Sequence, residues 1–196
     1  MFSLCLGIAA FVLYFLYDIN SFLWKHPLPR CFFLTGTGFL GIAAVLDLTA
    51  AWQSGAFSGT GDLILIAGSA VCFAALIYCL FFALPFKETY ADQTTGNHVY
   101  DSGVYALCRH PGILCFFALF LLLGIAALPG SMLRNGMVFS TLNLAYAWFQ
   151  DRVTFPKTFC DYDAYRHNVP FLIPTKASAR NAWRTLFHAD RQEDNP

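Results

Sequence analysis

Apolar residues run along this chain in long unbroken blocks instead of alternating with polar ones. Five blocks approach the length that crosses a bilayer: Phe2–Tyr17, Cys31–Trp52, Leu63–Leu84, Gly112–Leu128 and Met132–Phe149. The first and fourth are short, near the lower limit for spanning hydrocarbon. Such blocks predict helices, since a helix satisfies its own backbone hydrogen bonds within one segment in lipid. Blocks two and three carry Gly36, Gly38, Gly41, Ala43, Ala44, Ala67, Gly68 and Ala70, small residues that permit close helix–helix approach. Pro129-Gly130-Ser131 joins the last two blocks by a turn short enough to force an antiparallel hairpin.

Polar residues concentrate in two stretches, 86–111 and 150–174. The first follows Pro85 and starts irregular, with Thr94, Thr95, Gly96 and Asn97. In the second, Phe159 to Ile173 alternates aromatic and polar groups and ends Val169-Pro170-Phe171-Leu172-Ile173-Pro174. Its two prolines predict a non-helical segment that packs as a lid or interfacial strip. Residues 177–196 read as one amphipathic helix around Trp183, Leu186 and Phe187, then a frayed tail. The chain thus divides into scaffold helices (1–85), a catalytic region (86–175) and a cytoplasmic tail (176–196).

Composition strengthens the membrane reading. At 196 residues, 57% hydrophobic and 12% charged, with 21 Phe and 9 Tyr, the chain has more apolar surface than a soluble domain of its size buries. The expected fold is an all-α polytopic membrane protein with about five transmembrane helices, to which the resemblance given below adds a cytoplasmic cofactor pocket. The first block lacks a basic flank and a small-residue cleavage site, so it reads as an anchor and not a signal peptide.

Zero net charge hides a polarised molecule. Of the twelve Lys and Arg, only Arg134 falls on one side of the five spans. Lys25, Arg30, Lys87, Arg109, Arg152, Lys157, Arg166, Lys176, Arg180, Arg184 and Arg191 fall on the other. The positive-inside rule then puts the N-terminus outside and the C-terminus in the cytoplasm. No aromatics interleave the basic tail as a nucleic-acid groove needs, so no nucleic-acid partner is expected.

Several motifs reduce to structure. Cys5, Cys72, Cys79 and Cys115 lie in apolar blocks as small hydrophobes, and Cys108 and Cys160 on the reducing side. No CxxC pair or Cys/His cluster has zinc spacing, so no metal site is expected. Gly36-Thr37-Gly38-Phe39-Leu40-Gly41 matches GxGxxG but lies inside an apolar span, without the strand a dinucleotide loop needs. Asp47, read as the one acid inside a span, is placed close to the outer interface or protonated.

The chemistry concentrates in Asp101-Ser102-Gly103-Val104-Tyr105-Ala106-Leu107-Cys108-Arg109-His110-Pro111-Gly112, a polar run at the mouth of a span. With five spans, both polar stretches face the same side, and the 129–131 hairpin sets Gly112 beside Phe149. Arg109 and His110 can then meet Asp151, Tyr162 and Tyr165. Ser-Gly-Val-Tyr followed by Arg-His-Pro, with an acid after the last span and then Phe159, Tyr162, Tyr165 and Val169-Pro170, resembles the isoprenylcysteine carboxyl methyltransferases and related phospholipid N-methyltransferases. The resemblance covers about residues 86–175.

The resemblance implies an integral-membrane enzyme that uses S-adenosylmethionine in a pocket closed by the C-terminal segment. A lipophilic small molecule or lipid, bearing a carboxylate or amine, would enter from the bilayer. By position, Asn97, His98, Val99 and Tyr100 would line the cofactor site, with Tyr105, His110, Pro111, Gly112 and Ile113. Asp151, or Gln150, would take the acidic cofactor-contacting position, and Arg109 would pair with a carboxylate of cofactor or substrate. A carboxylate acceptor needs no base, whereas a protonated amine would call on Asp151 or His110.

This chain departs from the family pattern. No Arg precedes the acid by a turn, where Tyr146-Ala147-Trp148-Phe149 stands. Asp151 replaces Glu, Cys160 stands where Gly is common, Phe159 and Tyr162 are one residue closer, and Gly112-Ile113 replaces a polar residue and Tyr. Two alternatives stay open. One is an NADPH-dependent membrane reductase of sterol-reductase type, which would need more cations than Arg109, Lys157 and Arg166. The other is a non-catalytic membrane protein that keeps the fold.

Overall fold

The computed structural model describes residues 1–24, 31–57, 59–83 and 97–187, and every regular element among them is helical. Lys25, Arg30, Lys87, Arg191, the start of the polar stretch up to Gly96 and the tail from 188 lie outside the described residues. In chain order the helices are α1 (Phe2–Ile19), α2 (Phe32–Gln53), α3 (Thr60–Ile77), α4 (Val104–Leu107), α5 (Pro111–Ala126), α6 (Met132–Phe149), α7 (Phe155–Thr158), α8 (Tyr162–Asn168) and α9 (Lys176–Phe187). Wider π turns extend α1 over Asn20–Trp24, α3 over Tyr78–Phe82 and α6 over Gln150–Thr154.

Among the described residues, three helical stretches are long and apolar enough to cross a membrane: Phe2–Leu23, Phe32–Gln53 and Thr60–Phe82. The last is the barest, with 11% of its apolar window buried, and Leu63, Ile64, Val71 and Phe82 stand exposed for lipid to cover. Helix α5 is apolar but has 16 residues, roughly 24 Å of rise against about 30 Å of hydrocarbon. Helix α6 carries Arg134, Asn135 and Asn143, which dilute its hydropathy.

Several expected boundaries move. Helix α1 runs past Tyr17, so Asp18 lies inside a candidate span, as does Asp62 in the first turn of α3; Asp47 is not the one such acid. The stretch expected to be non-helical after Phe159 contains α8, and the prolines break the helix only from Val169. The polar stretch before α5 likewise holds the short helix α4.

The chain divides into two units: residues 1–73 with 115–154, and residues 74–114 with 155–196. In the first, α1 packs along α2 and α6. Gly7 lies under the Phe139 ring, and Gly36 against the Ala10 carbonyl and the Tyr14 ring. Gly38 and Gly41 have nothing near them, so one glycine of the GxGxxG string makes the close approach. Tyr14 stacks on Tyr146 at 5.6 Å, and Phe15 meets Tyr146 and Phe149 edge-on.

Lipid tails are as apolar as Leu, so polar contacts add what hydrophobicity cannot. Asp47 is buried and accepts from Ser3 (2.8 Å), Ser131 (3.2 Å) and the Asn135 amide (2.9 and 3.1 Å). One carboxylate thereby ties α1, α2 and the start of α6. Asp18, also buried, accepts from Thr154 at 3.3 Å and hydrogen-bonds Gln150 and Tyr146. Asp47 therefore has protein partners on three sides.

Candidate functional site

The second unit holds all the sequence-singled residues except Asp151 and its rival Gln150, with Ile113 and Gly112 at the start of α5. Pro111 opens α5, where a missing N–H costs no helical bond. The Gly103 φ of +61° is a conformation glycine takes without strain, and it turns the chain into α4. The Gly103 N–H donates to Thr185 Oγ1 of α9 at 2.9 Å, fastening α4 to that helix.

Tyr105, on α4, donates its hydroxyl to the Cys79 carbonyl at 2.8 Å. Cys79 lies in the π turn ending α3, where wider spacing leaves carbonyls off the regular ladder. Tyr165 of α8 in turn donates to the Tyr105 carbonyl at 2.8 Å. Burial pushes the Tyr165 phenol well above its ordinary pKa, with the neighbouring Tyr105 and Cys108 adding to the rise. It remains a neutral donor.

Arg109 joins the two polar stretches. Its guanidinium donates to the carbonyls of Arg166 (2.8 Å) and Val169 (3.3 Å), and its backbone N–H donates to Pro170 (2.9 Å). The same guanidinium lies 5.7 Å from the Phe171 ring centroid, within cation–π range. His110 is buried, stacked on Phe155 at 5.8 Å and edge-on to Phe171 at 5.0 Å. Phe155, Phe159 and Val99 pack on the buried trio Tyr162, Tyr165 and Val169. Phe155 and Phe171 are thus part of the site, and no spacing in the sequence marked them.

The 97–100 segment runs beside the turn before α8. Cys160 N–H donates to the Asn97 carbonyl (3.1 Å), and the Val99 N–H donates to Asp161 Oδ1 (2.9 Å). His98 Nδ1 lies 3.1 Å from Asp161 Oδ2 and 3.5 Å from Cys160 Sγ. Sequence spacing pointed to no metal site, yet the fold gathers His, Cys and carboxylate donor atoms within 4.8 Å of one another. Beside them Val99, Asp101, Asp161, Tyr165 and Asn168 line a hollow of about 120 Å³.

The hollow offers two carboxylates, an amide and a tyrosine ring. Carboxylates can hold hydroxyls or an amino group, and aromatic rings suit adenine and a sulfonium. The hollow is smaller than the roughly 300 Å³ of a site that encloses a drug-sized ligand, so by itself it takes a fragment. Asp151 belongs to the first unit, buried in the π turn Gln150–Thr154, while the neighbouring Gln150 is engaged by Asp18. No protein-family model, curated protein or solved structure matches the chain.

Proposed function

We propose that the chain is an integral-membrane, S-adenosylmethionine-dependent methyltransferase of a lipophilic small molecule or lipid. This reading carries with it five spans, an outside N-terminus and a cytoplasmic C-terminus. Its main support is the joint made by Arg109. The guanidinium ties the Arg-His-Pro block to Arg166 and Val169, so the two stretches that carry the family resemblance fold together.

When bound, the cofactor supplies an electrophilic methyl group, and its transfer needs mainly proximity and alignment. Asp101 would hold polar groups at the hollow, and Tyr165 would stay neutral beside it. Arg109 fixes the segment 166–170 over its own block and would pair with a carboxylate of cofactor or substrate. Asp151, or Gln150 beside it, would take the acidic position. A protonated amine acceptor would give its proton to Asp151 or His110.

The hydroxyl of Tyr105 and the guanidinium of Arg109 both bond main-chain carbonyls, which favours a second reading: a non-catalytic membrane protein with the same architecture. Calorimetry with S-adenosylmethionine and S-adenosylhomocysteine on detergent-purified protein separates the two. Saturable binding lost in an Asp151→Ala, His110→Ala double variant of unchanged helicity supports the enzyme. No binding to either ligand by monodisperse protein overturns it.

A further inference from the structure

We propose a zinc-type divalent metal site formed by His98, Cys160 and Asp161, with solvent completing the coordination. It stands on its own donors and does not depend on the methyltransferase reading. In a tetrahedral zinc shell with Zn–S near 2.3 Å and Zn–N or Zn–O near 2.1 Å, neighbouring S and N ligands stand about 3.6 Å apart and N and O ligands about 3.3 Å apart. Here Cys160 Sγ lies 3.5 Å from His98 Nδ1, and that Nδ1 lies 3.1 Å from Asp161 Oδ2. The separations are those of neighbouring ligands, and all three donor atoms lie within 4.8 Å of one another; since Sγ is also 3.8 Å from His98 Nε2, the imidazole has to turn to aim one nitrogen at the ion.

The second observation concerns Asp161. It is the N-cap residue of α8, a position where Asp normally turns its carboxylate onto the first helical N–H groups. Its side chain makes no such bond. Oδ1 instead accepts from the Val99 N–H at 2.9 Å, which fixes the carboxylate and leaves Oδ2 towards His98. Hydrogen bonds to the far atom of a ligand are how metal sites orient their carboxylates. The Cys160 N–H to Asn97 carbonyl bond secures the same two chain segments on the other side of His98.

Charge selects the metal class. A thiolate and a carboxylate neutralise a divalent cation, and sulfur with imidazole favours zinc, cobalt or copper over magnesium or calcium. The Cys160 thiol now donates weakly to the Asn97 carbonyl at 3.4 Å. On metal binding its proton passes to the buffer and the sulfur lone pair goes to the metal. Cys160 and His98 are both exposed, so ions reach the site from solvent and exchange readily.

Titration of the detergent-purified full chain with Co²⁺ tests the site. One equivalent should produce a thiolate-to-cobalt charge-transfer band that Zn²⁺ then abolishes. Cys160→Ser should remove the band, and His98→Ala should weaken binding by more than about tenfold, the scale lost even with a supporting partner. Cys31→Ser, at an exposed cysteine of the other unit, should change nothing. Absence of a saturable band in folded wild-type protein, or its survival in Cys160→Ser, overturns the proposal.

Discussion

Arg109 and Arg166, two cations 57 residues apart, meet through a hydrogen bond from the guanidinium of the first to the main-chain carbonyl of the second, at 2.8 Å. The acceptor is main chain, so the contact concerns backbone and not ion pairing. Carbonyls in the last turn of α8 and just beyond it have no helical partner, and Arg109 supplies donors to them.

Arg109→Ala should destabilise the protein by about 2 kcal/mol, the usual scale for a hydrogen bond made by a charged group. Arg109→Lys should recover less than half of this. An ammonium cannot serve two carbonyls in a fixed fork while stacking on Phe171. Thermal unfolding in detergent, followed by tryptophan fluorescence, measures both. A silent Arg109→Ala would mean that the clamp bears no load.

The buried carboxylate of Asp47 predicts coupling between helices. Ser3→Ala and Asn135→Ala each remove one of its donors, and Asn135 also donates to Ser3 at 3.2 Å. A double-mutant cycle between them should show a coupling of about 1 kcal/mol, typical of interhelical hydrogen bonds in membranes. Denaturant unfolding in bicelles reads it, and strict additivity would deny the network.

Two glycines should behave oppositely. A Cβ at Gly7 would overlap the ring of Phe139, which is wholly buried and has nowhere to move. Gly7→Ala should cost about 1–3 kcal/mol, the scale of overpacking. A Cβ at Gly38 meets nothing, so Gly38→Ala should be neutral or slightly stabilising.

Alkaline pH should expose Tyr165. Its phenol is raised in the folded state, so its contribution to stability is complete below the unfolded value of about 10 and declines as pH rises beyond it. Tyr165→Phe should therefore leave the amplitude of the phenolate absorbance step between about pH 9 and 11 unchanged in the folded protein. A smaller step in the variant would show that Tyr165 titrates normally.

Much of the helical pattern was legible, because continuous apolar runs leave the backbone few alternatives. Helix α2 lies within a residue of its expected ends, and the tail helix forms around Trp183. The end of α1 was not legible. Asp18, Asn20 and Ser21 look like a terminus, but Thr154 receives Asp18 and the Ser21 hydroxyl folds onto the Asp18 carbonyl at 2.6 Å. Helix α8 has a helical spacing in Tyr162, Tyr165 and Val169, at i, i+3 and i+7, but the prolines at 170 and 174 drew the whole segment into a non-helical reading. The approach of His98 to Cys160 and Asp161 has no local signature, since the partners stand 62 and 63 positions apart. Only the folded backbone, through the Asn97 and Val99 hydrogen bonds, reveals it.

The unequal lengths of α3 and α5 bear on where such a chain can reside. The 23-residue Thr60–Phe82 stretch rises about 35 Å, while the 16 residues of α5 rise roughly 24 Å. In the five-span reading no single bilayer thickness matches both. A thin membrane makes the longer helix tilt, and a thick one draws head groups inward at the shorter, each at fractions of a kcal/mol per Å of mismatch. Lipid acyl-chain length then becomes a variable of this protein's stability.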